Sequence, residues 1–362
     1  VARGAIALHS TDYWTPYLSA WARIGDFEAE QVFKSMNTSG KYLLRRPAFR
    51  NAHHVIHIDM FPLILSALGP HLARSMRPAP PIKGLSDAEL EERIDEIIGV
   101  LSDGPASMND LKKKLPHIGD QMRWILLMAN GRGLVIRTRS THARNNRLDY
   151  DLLSRWIDGA SIPKMEEEQA RRELTLRYIS TFGPVSLDDF SWWLPAKKTE
   201  AKKLFGNLTE DINMVEADGK PCYMTKDDLE ISSSLEPPSE PIVFFLPYED
   251  HFPKAYKDRQ WYLSEDMENI LFPRNREHYW PPKMEPPPPG PPKGMNASGE
   301  KRPSIWVNGR IVGRWEIDQE KDDVTVSIGL IEKVDSKVKP LIEEKRQSLQ
   351  EFIQKRLIPI SK

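Results

Sequence analysis

The sequence predicts an α+β fold: tandem winged-helix units, each a helix-turn-helix with a β-hairpin, then a C-terminal β-rich subdomain and a terminal helix. Three observations predict it. One segment is repeated at a fixed offset. Each copy carries the punctuation of helix, short helix, helix and hairpin. The last third of the chain switches from helical to strand patterning.

The repeat is read first. Gly104-Pro105-Ala106-Ser107-Met108-Asn109-Asp110-Leu111 returns as Gly183-Pro184-Val185-Ser186-Leu187-Asp188-Asp189-Phe190, and Leu115-Pro116 returns as Leu194-Pro195. An offset of 79 residues separates Gly104 from Gly183 and Leu115 from Leu194 alike. Before each copy lies a helical stretch, residues 89–101 and 166–180. In the first, Leu90, Ile94, Ile97, Ile98 and Leu101 share one face. Gly-Pro stops that helix. Ser107 or Ser186 then suits an N-cap, with Asp110 or Asp189 three residues on to complete a capping box. A short helix runs to Lys114 or Trp193, Pro116 or Pro195 breaks it, and a third helix is expected over 118–130 and 196–207. Residues 134–137, and residues around 214–224 in the second copy, read as hairpin strands. In this order of elements the third helix can enter a major groove and the hairpin can touch backbone; a protein-interaction module is the bland alternative.

Composition bounds the rest. The chain has 362 residues, 40% hydrophobic and 28% charged, enough for about two to four compact units with sizeable cores. No run approaches the length of a membrane span, and the start has no signal-peptide hydrophobic region. The first residue is Val1, so some N-terminal sequence is expected to be missing. Cys222 is the single cysteine, which excludes an intramolecular disulfide and fits a reducing compartment. The net charge of −1 excludes a chain that binds polyanions by bulk charge.

Positive charge does gather locally. Arg123 falls on the first copy's third helix, and Arg132, Arg137, Arg139, Arg144 and Arg147 follow along its hairpin, with Asn145 and Asn146 between. Such a run suits phosphate contact; a solvated hairpin is the alternative. In the second copy Lys197, Lys198, Lys202 and Lys203 mark the third helix, and the hairpin holds Glu216 and Asp218. Near the N-terminus Lys41, Arg45, Arg46 and Arg50 precede His53, His54 and His57. The spacing of these histidines matches no common zinc pattern, so no metal is expected, and a strand with polar-face histidines is the simpler account.

Further on, residues 242–245 read as a buried strand, residues 281–294 as an extended proline-rich loop, and residues 304–307 and 310–317 as a hairpin through Asn308-Gly309. Another strand is expected over 323–328. A final amphipathic helix over 338–356 has Pro340 in its first turn.

Several stretches together resemble one family, the winged-helix proteins that include AlkZ-type DNA glycosylases and the related YcaQ proteins. They are residues 4–12 with 17–23; Leu44-Arg45 and Arg50-Asn51-Ala52-His53-His54, similar to the family's "R-G-T-x-H" region; Phe245-Leu246-Pro247-Tyr248-Glu249-Asp250 with Tyr256-Lys257-Asp258-Arg259, similar to "LLP-x-x-D…Y-x-D-R"; and residues 306–315, similar to "V-D-G-R-V-V-G-x-W". The resemblance implies a first winged helix whose opening helix precedes Val1. The implied divisions are 1–82, 83–163 and 164–236 for three winged helices, and 237–362 for the β-rich subdomain.

It also implies a function: a monofunctional DNA glycosylase that hydrolyses the N-glycosidic bond of alkylated bases. The alternative is a non-catalytic winged-helix DNA-binding protein or transcriptional regulator. The family's active site is a Gln-x-Gln or Gln-x-Asp motif, and here His9 and Thr11 fall at its two positions, followed by Asp12. That departure assigns His9 as general base, with an ordinary pKa of about 6.5, Thr11 as water-orienting group and Asp12 as the charge facing an oxocarbenium-like sugar. Ser10-Thr11-Asp12 is also good capping chemistry for a helix over 14–24. The expected partner is double-stranded DNA, with Arg45, Arg50, His54, Arg123, Arg132, Arg137, Arg139, Arg144, Arg147, Lys198 and Lys202 as contacts. No cofactor and no membrane are expected; a monomer is expected, located in the cytoplasm of a bacterium or archaeon and associated with the nucleoid.

Overall fold

The computed structural model describes residues 1–38, 42–138, 142–143, 148–157, 165–194, 196–264, 268, 271 and 301–362. The expected contacts Arg139, Arg144 and Arg147, the helix breaker Pro195 and the proline-rich loop 281–294 lie outside them.

The chain opens with strand β1 (Leu8–His9), helices α1 (Thr15–Trp21) and α2 (Ala29–Asn37), strands β2 (Leu43–Pro47) and β3 (His53–His57), and the long helix α3 (Phe61–Met76). The repeat follows: α4 (Asp87–Ser102), α5 (Met108–Lys114), α6 (Met122–Gly131), β4 (Val135–Thr138) and β5 (Asp149–Leu152), closed by the short α7 (Leu153–Trp156). Its second copy is α8 (Glu167–Phe182), α9 (Leu187–Trp193), α10 (Lys198–Gly206), β6 (Ile212–Ala217) and β7 (Lys220–Thr225), then α11 (Lys226–Ser232). The end of the chain holds β8 (Val243–Leu246), α12 (His251–Lys254), β9 (Ser304–Val307), β10 (Arg310–Glu320), β11 (Asp323–Leu330) and α13 (Val338–Phe352), which continues as a π-helical turn over Ile353–Leu357.

The repeat is physical. Both expected capping boxes form: Ser107 with Asp110, and Ser186 with Asp189, each with the serine hydroxyl accepting from the aspartate N–H and the carboxylate accepting from the serine N–H. A single antiparallel bridge ties the start of each short helix to its hairpin, Ala106 to Tyr150 and Val185 to Tyr223. Ala106 and Val185 are 79 residues apart, the offset seen in the sequence.

Among the described residues the strands form three sheets. Five strands in the order β1-β3-β2-β4-β5 join the N-terminal segment to the first repeat, through pairing of Arg45 with Arg137. Four strands, β11-β10-β9-β8, form the C-terminal sheet, and β6-β7 is a separate hairpin. Asn308 (φ 48°) and Gly309 (φ 80°) make the expected two-residue turn. One expectation is corrected: residues 242–245 are not a buried run. β8 is the outer strand of its sheet, so Ile242 (42% exposed) and Phe244 (40%) reach solvent while Phe245 and Leu246 are buried.

Two apolar cores form among the described residues. One lies within residues 72–150, built on Leu90, Ile94, Ile97, Leu101, Leu111, Ile125 and Leu126. The other is continuous from the N-terminal segment through the second repeat copy to the C-terminal sheet and helix. Helices α3 and α6 cross so closely that a Cβ on Gly69 would stand 2.2 Å from the carbonyl oxygen of Gly131. Only glycine permits that approach.

Candidate active site

The site begins with α1. Asp12 precedes it, and its Oδ1 accepts from the N–H groups of Trp14 (3.0 Å) and Thr15 (3.1 Å) and from the Thr15 hydroxyl. This is the capping chemistry anticipated for Ser10-Thr11-Asp12, and it turns the carboxylate toward the helix start. Burial raises the Asp12 pKa, against these hydrogen bonds. From α1, the Thr15 hydroxyl donates to the Tyr248 carbonyl (2.9 Å), and Ser19 donates to Asp250 (2.8 Å). Just beyond the helix, Arg23 grips Asp250 with two hydrogen bonds of 2.7 and 2.9 Å. Burial opposes ionisation of Asp250, but the Arg23 guanidinium overrides it and holds the carboxyl far below the usual range. Asp250 also caps α12 by accepting from Phe252 N–H.

This clamp fixes the neighbouring Glu249, whose backbone is left-handed (φ 54°). Its carboxylate enters a cavity of about 200 Å³ lined by His9, Phe49, Arg50, His54, Trp193, His251 and Lys254, among others. Glu249 Oε2 stands 2.8 Å from Lys254 Nζ and 3.6 Å from His9 Nε2, and Oε1 accepts from Lys301 N–H. His9 on β1 and His54 on β3 are directly opposed across the strand pair. His54 Nδ1 lies 2.8 Å from the Ala52 carbonyl, so that nitrogen carries the proton.

Strain marks the same place. Six non-glycine residues among those described have positive φ. Asp218, Asn308 and Lys321 sit in hairpin turns. Arg50 and Glu249 line the cavity, and Ile6 lies between two lining residues, Ala5 and Ala7. A β-branched residue at φ 67° is a true outlier, and backbone strain of this kind collects at functional sites.

Burial governs the electrostatics. It pushes the imidazoles of His9, His54 and His251 down to about 3 each, with Lys254 adding to the effect at His9. The expectation of a His9 base titrating near 6.5 is therefore corrected: its imidazole stays neutral at physiological pH. Its Nδ1 is buried with no hydrogen-bond partner. Thr11 is exposed, and neither Thr11 nor Asp12 lines the cavity. Of the three expected catalytic residues, only His9 is in it.

Two of the expected DNA contacts are likewise corrected. Arg45 is 7% exposed, with its guanidinium against Met36 Sδ, because β2 turns it into the layer under α2. His54 is a cavity wall, 8% exposed. Arg50 stays at the rim, its guanidinium 3.5 Å from the centre of the Trp192 ring and its Nε donating to the Trp192 carbonyl. Arg123 and Arg132 are exposed, the latter paired with Glu91. Arg137 is half-buried against Tyr150. Lys198 and Lys202 are exposed on α10, and Lys198 pairs with Asp188.

Glu249, Lys254, His251 and Trp192 were not singled out from the sequence. The available signal was the density of charge in Glu249-Asp250-His251 and Lys254 inside an otherwise apolar stretch. Among the described residues, no three His, Cys, Asp or Glu side chains are arranged to hold a metal ion, and no helix is long and apolar enough to cross a membrane.

The chain is thus mixed α+β, with a partly open cavity of strained backbone beside repeated helix–hairpin units. The chain belongs to the AlkZ-like DNA glycosylase family, whose model matches residues 2–352. It is 22% identical over 254 residues to an interstrand DNA cross-link repair glycosylase of Streptomyces sahachiroi. That match covers 66% of this chain and 60% of the relative's length. The fold is similar to that of the solved Streptomyces sahachiroi DNA glycosylase AlkZ, with a TM-score of 0.72 and 15% identity, over 100% of this chain and 91% of that one.

Proposed function

We propose that the protein is a DNA glycosylase that hydrolyses the N-glycosidic bond of alkylated bases in double-stranded DNA, acting as a monomer inside the cell. The observation that carries this reading is the Glu249 carboxylate, aimed into a cavity whose imidazoles are neutral. A cationic alkylated purine leaves with the electron pair of its C1′–N bond and needs no protonation. What remains is an oxocarbenium-like sugar. Glu249 supplies the negative charge that stabilises it, in a water-poor site where that charge counts for most. The attacking water gives its proton to Glu249, beside the neutral His9 imidazole, whose Nε2 lies 3.6 Å from that carboxylate. Thr11 and Asp12 hold β1 and α1 in place rather than touch the sugar. The reaction so drawn uses no cofactor.

The helix–strand–helix–helix–hairpin order of residues 87–152 and 167–225 supports reading them as winged helices. Residues 8–57 follow the same order from its first strand onward. We divide the chain accordingly at 1–82, 83–163, 164–236 and 237–362. Arg50, Arg123, Arg132, Arg137, Lys198 and Lys202 then contact phosphates.

The test is base release from duplex DNA carrying 7-methylguanine, with Glu249→Gln and His9→Ala beside the native protein. Release that falls in both variants supports the reading. No release by the folded native protein, with salt-sensitive DNA binding intact, replaces it with a non-catalytic DNA-binding protein.

A further inference from the structure

We propose that Lys254 is an amine nucleophile, and that the protein also cleaves DNA at abasic sites through an imine formed in the same cavity. This rests on the reading above, because base release leaves at that point a sugar that opens to a C1′ aldehyde.

The hydrolysis just described uses a carboxylate and a water but no amine, and yet an amine is there. Lys254 ends α12, whose start is locked by the Asp250 cap and the Arg23 clamp. The side chain is 17% exposed and lines the cavity with His9, His54 and Glu249. Phosphate contact is the work of exposed cations on outer helices. A lysine enclosed among neutral imidazoles, with its Nζ 2.8 Å from a carboxylate, has instead the base that a nucleophilic amine needs.

The step balances. Lys254 gives an ammonium proton to Glu249, and the freed electron pair bonds to C1′ of the aldehyde. Glu249 returns the proton to the carbinolamine hydroxyl, which leaves as water, and a C1′–Nζ imine remains. The carboxylate then takes a proton from C2′. That C–H pair becomes the C2′–C3′ double bond, and the C3′–O bond breaks with its pair leaving on the phosphate. Water adds to the imine and frees the amine.

The experiment uses the full chain and duplex DNA whose single abasic site was made beforehand by excising uracil with another enzyme. With sodium borohydride present, we expect a covalent protein–DNA adduct, located by peptide mass analysis on Lys254. Without it we expect strand cleavage 3′ to the site. Lys254→Gln should lower adduct yield at least tenfold, while Lys257→Gln, an exposed lysine facing Asp188, should keep it. No adduct with the folded native protein, or an adduct mapped to another lysine, overturns the proposal; the mapping decides even if Lys254→Gln misfolds. The substrate already lacks its base, so failure here is separate from failure of base release from 7-methylguanine.

Discussion

His9 and His54 face each other across the β1–β3 pair, their rings 5.4 Å apart and nearly perpendicular at 83°. Two imidazoles so close cannot both be charged in a buried site.

The pH dependence of stability follows. His9, His54 and His251 have folded-state pKa values of about 3 against about 6.5 in the unfolded chain. Between those values the unfolded state binds more protons, so stability falls as pH drops from 6.5 toward 3, by about 1.4 kcal/mol per pH unit for each histidine. Urea midpoints at pH 7, 6 and 5 should decline steadily. A flat series would mean that the imidazoles are solvated.

Buried Lys301 acts at the other end. Burial lowers its pKa to about 7, against Asp250 and Glu249, which raise it. Between about 7 and the unfolded value near 10.4 the unfolded state again binds more protons, so stability should rise with pH across that window. Lys301→Met should flatten the rise in a urea series from pH 7 to 9.

Glu249→Gln keeps the shape of the cavity and removes its charge. Base release should fall on the order of 10²-fold, with DNA affinity little changed. A single-turnover assay beside a binding titration separates the two, and equal losses in both would point to a misplaced loop.

Breaking the Arg23–Asp250 clamp should cost more stability than any surface pair. Asp250→Asn removes the buried carboxylate that grips the partly exposed Arg23 guanidinium, for about 1.5–3 kcal/mol, read from the urea midpoint. Gly69→Ala should cost about 1–3 kcal/mol, because the new methyl meets backbone rather than a movable side chain.

Lys202→Ala and Arg123→Ala should weaken DNA binding alike for all sequences, and each should lower the slope of log affinity against log salt by about one. Arg45→Ala should leave that slope unchanged and destabilise the fold instead, since Arg45 packs under α2.

Local grammar was legible in the sequence. The capping boxes of α5 and α9 and the Asn308-Gly309 turn are set by residues within three positions of one another. The family resemblance pointed to His9 because a two-residue motif is also local. What was hidden depends on distance along the chain. Whether Arg45 meets solvent is decided by α2 above it and β4 beside it, and β4 lies about ninety residues away. Glu249 enters the site of His9 because Arg23, Ser19 and Thr15 hold its loop, and no periodicity records such a meeting.

The indole N–H of Trp14, at the start of α1, donates to the hydroxyl of Ser361, 347 residues later, and the Ala143 N–H donates to the Ile360 carbonyl. The ribosome therefore delivers the first helix long before its last neighbour. At about 5–20 residues per second, Trp14 waits roughly 20–70 s, bare or in a chaperone's keeping, before the closing turn exists.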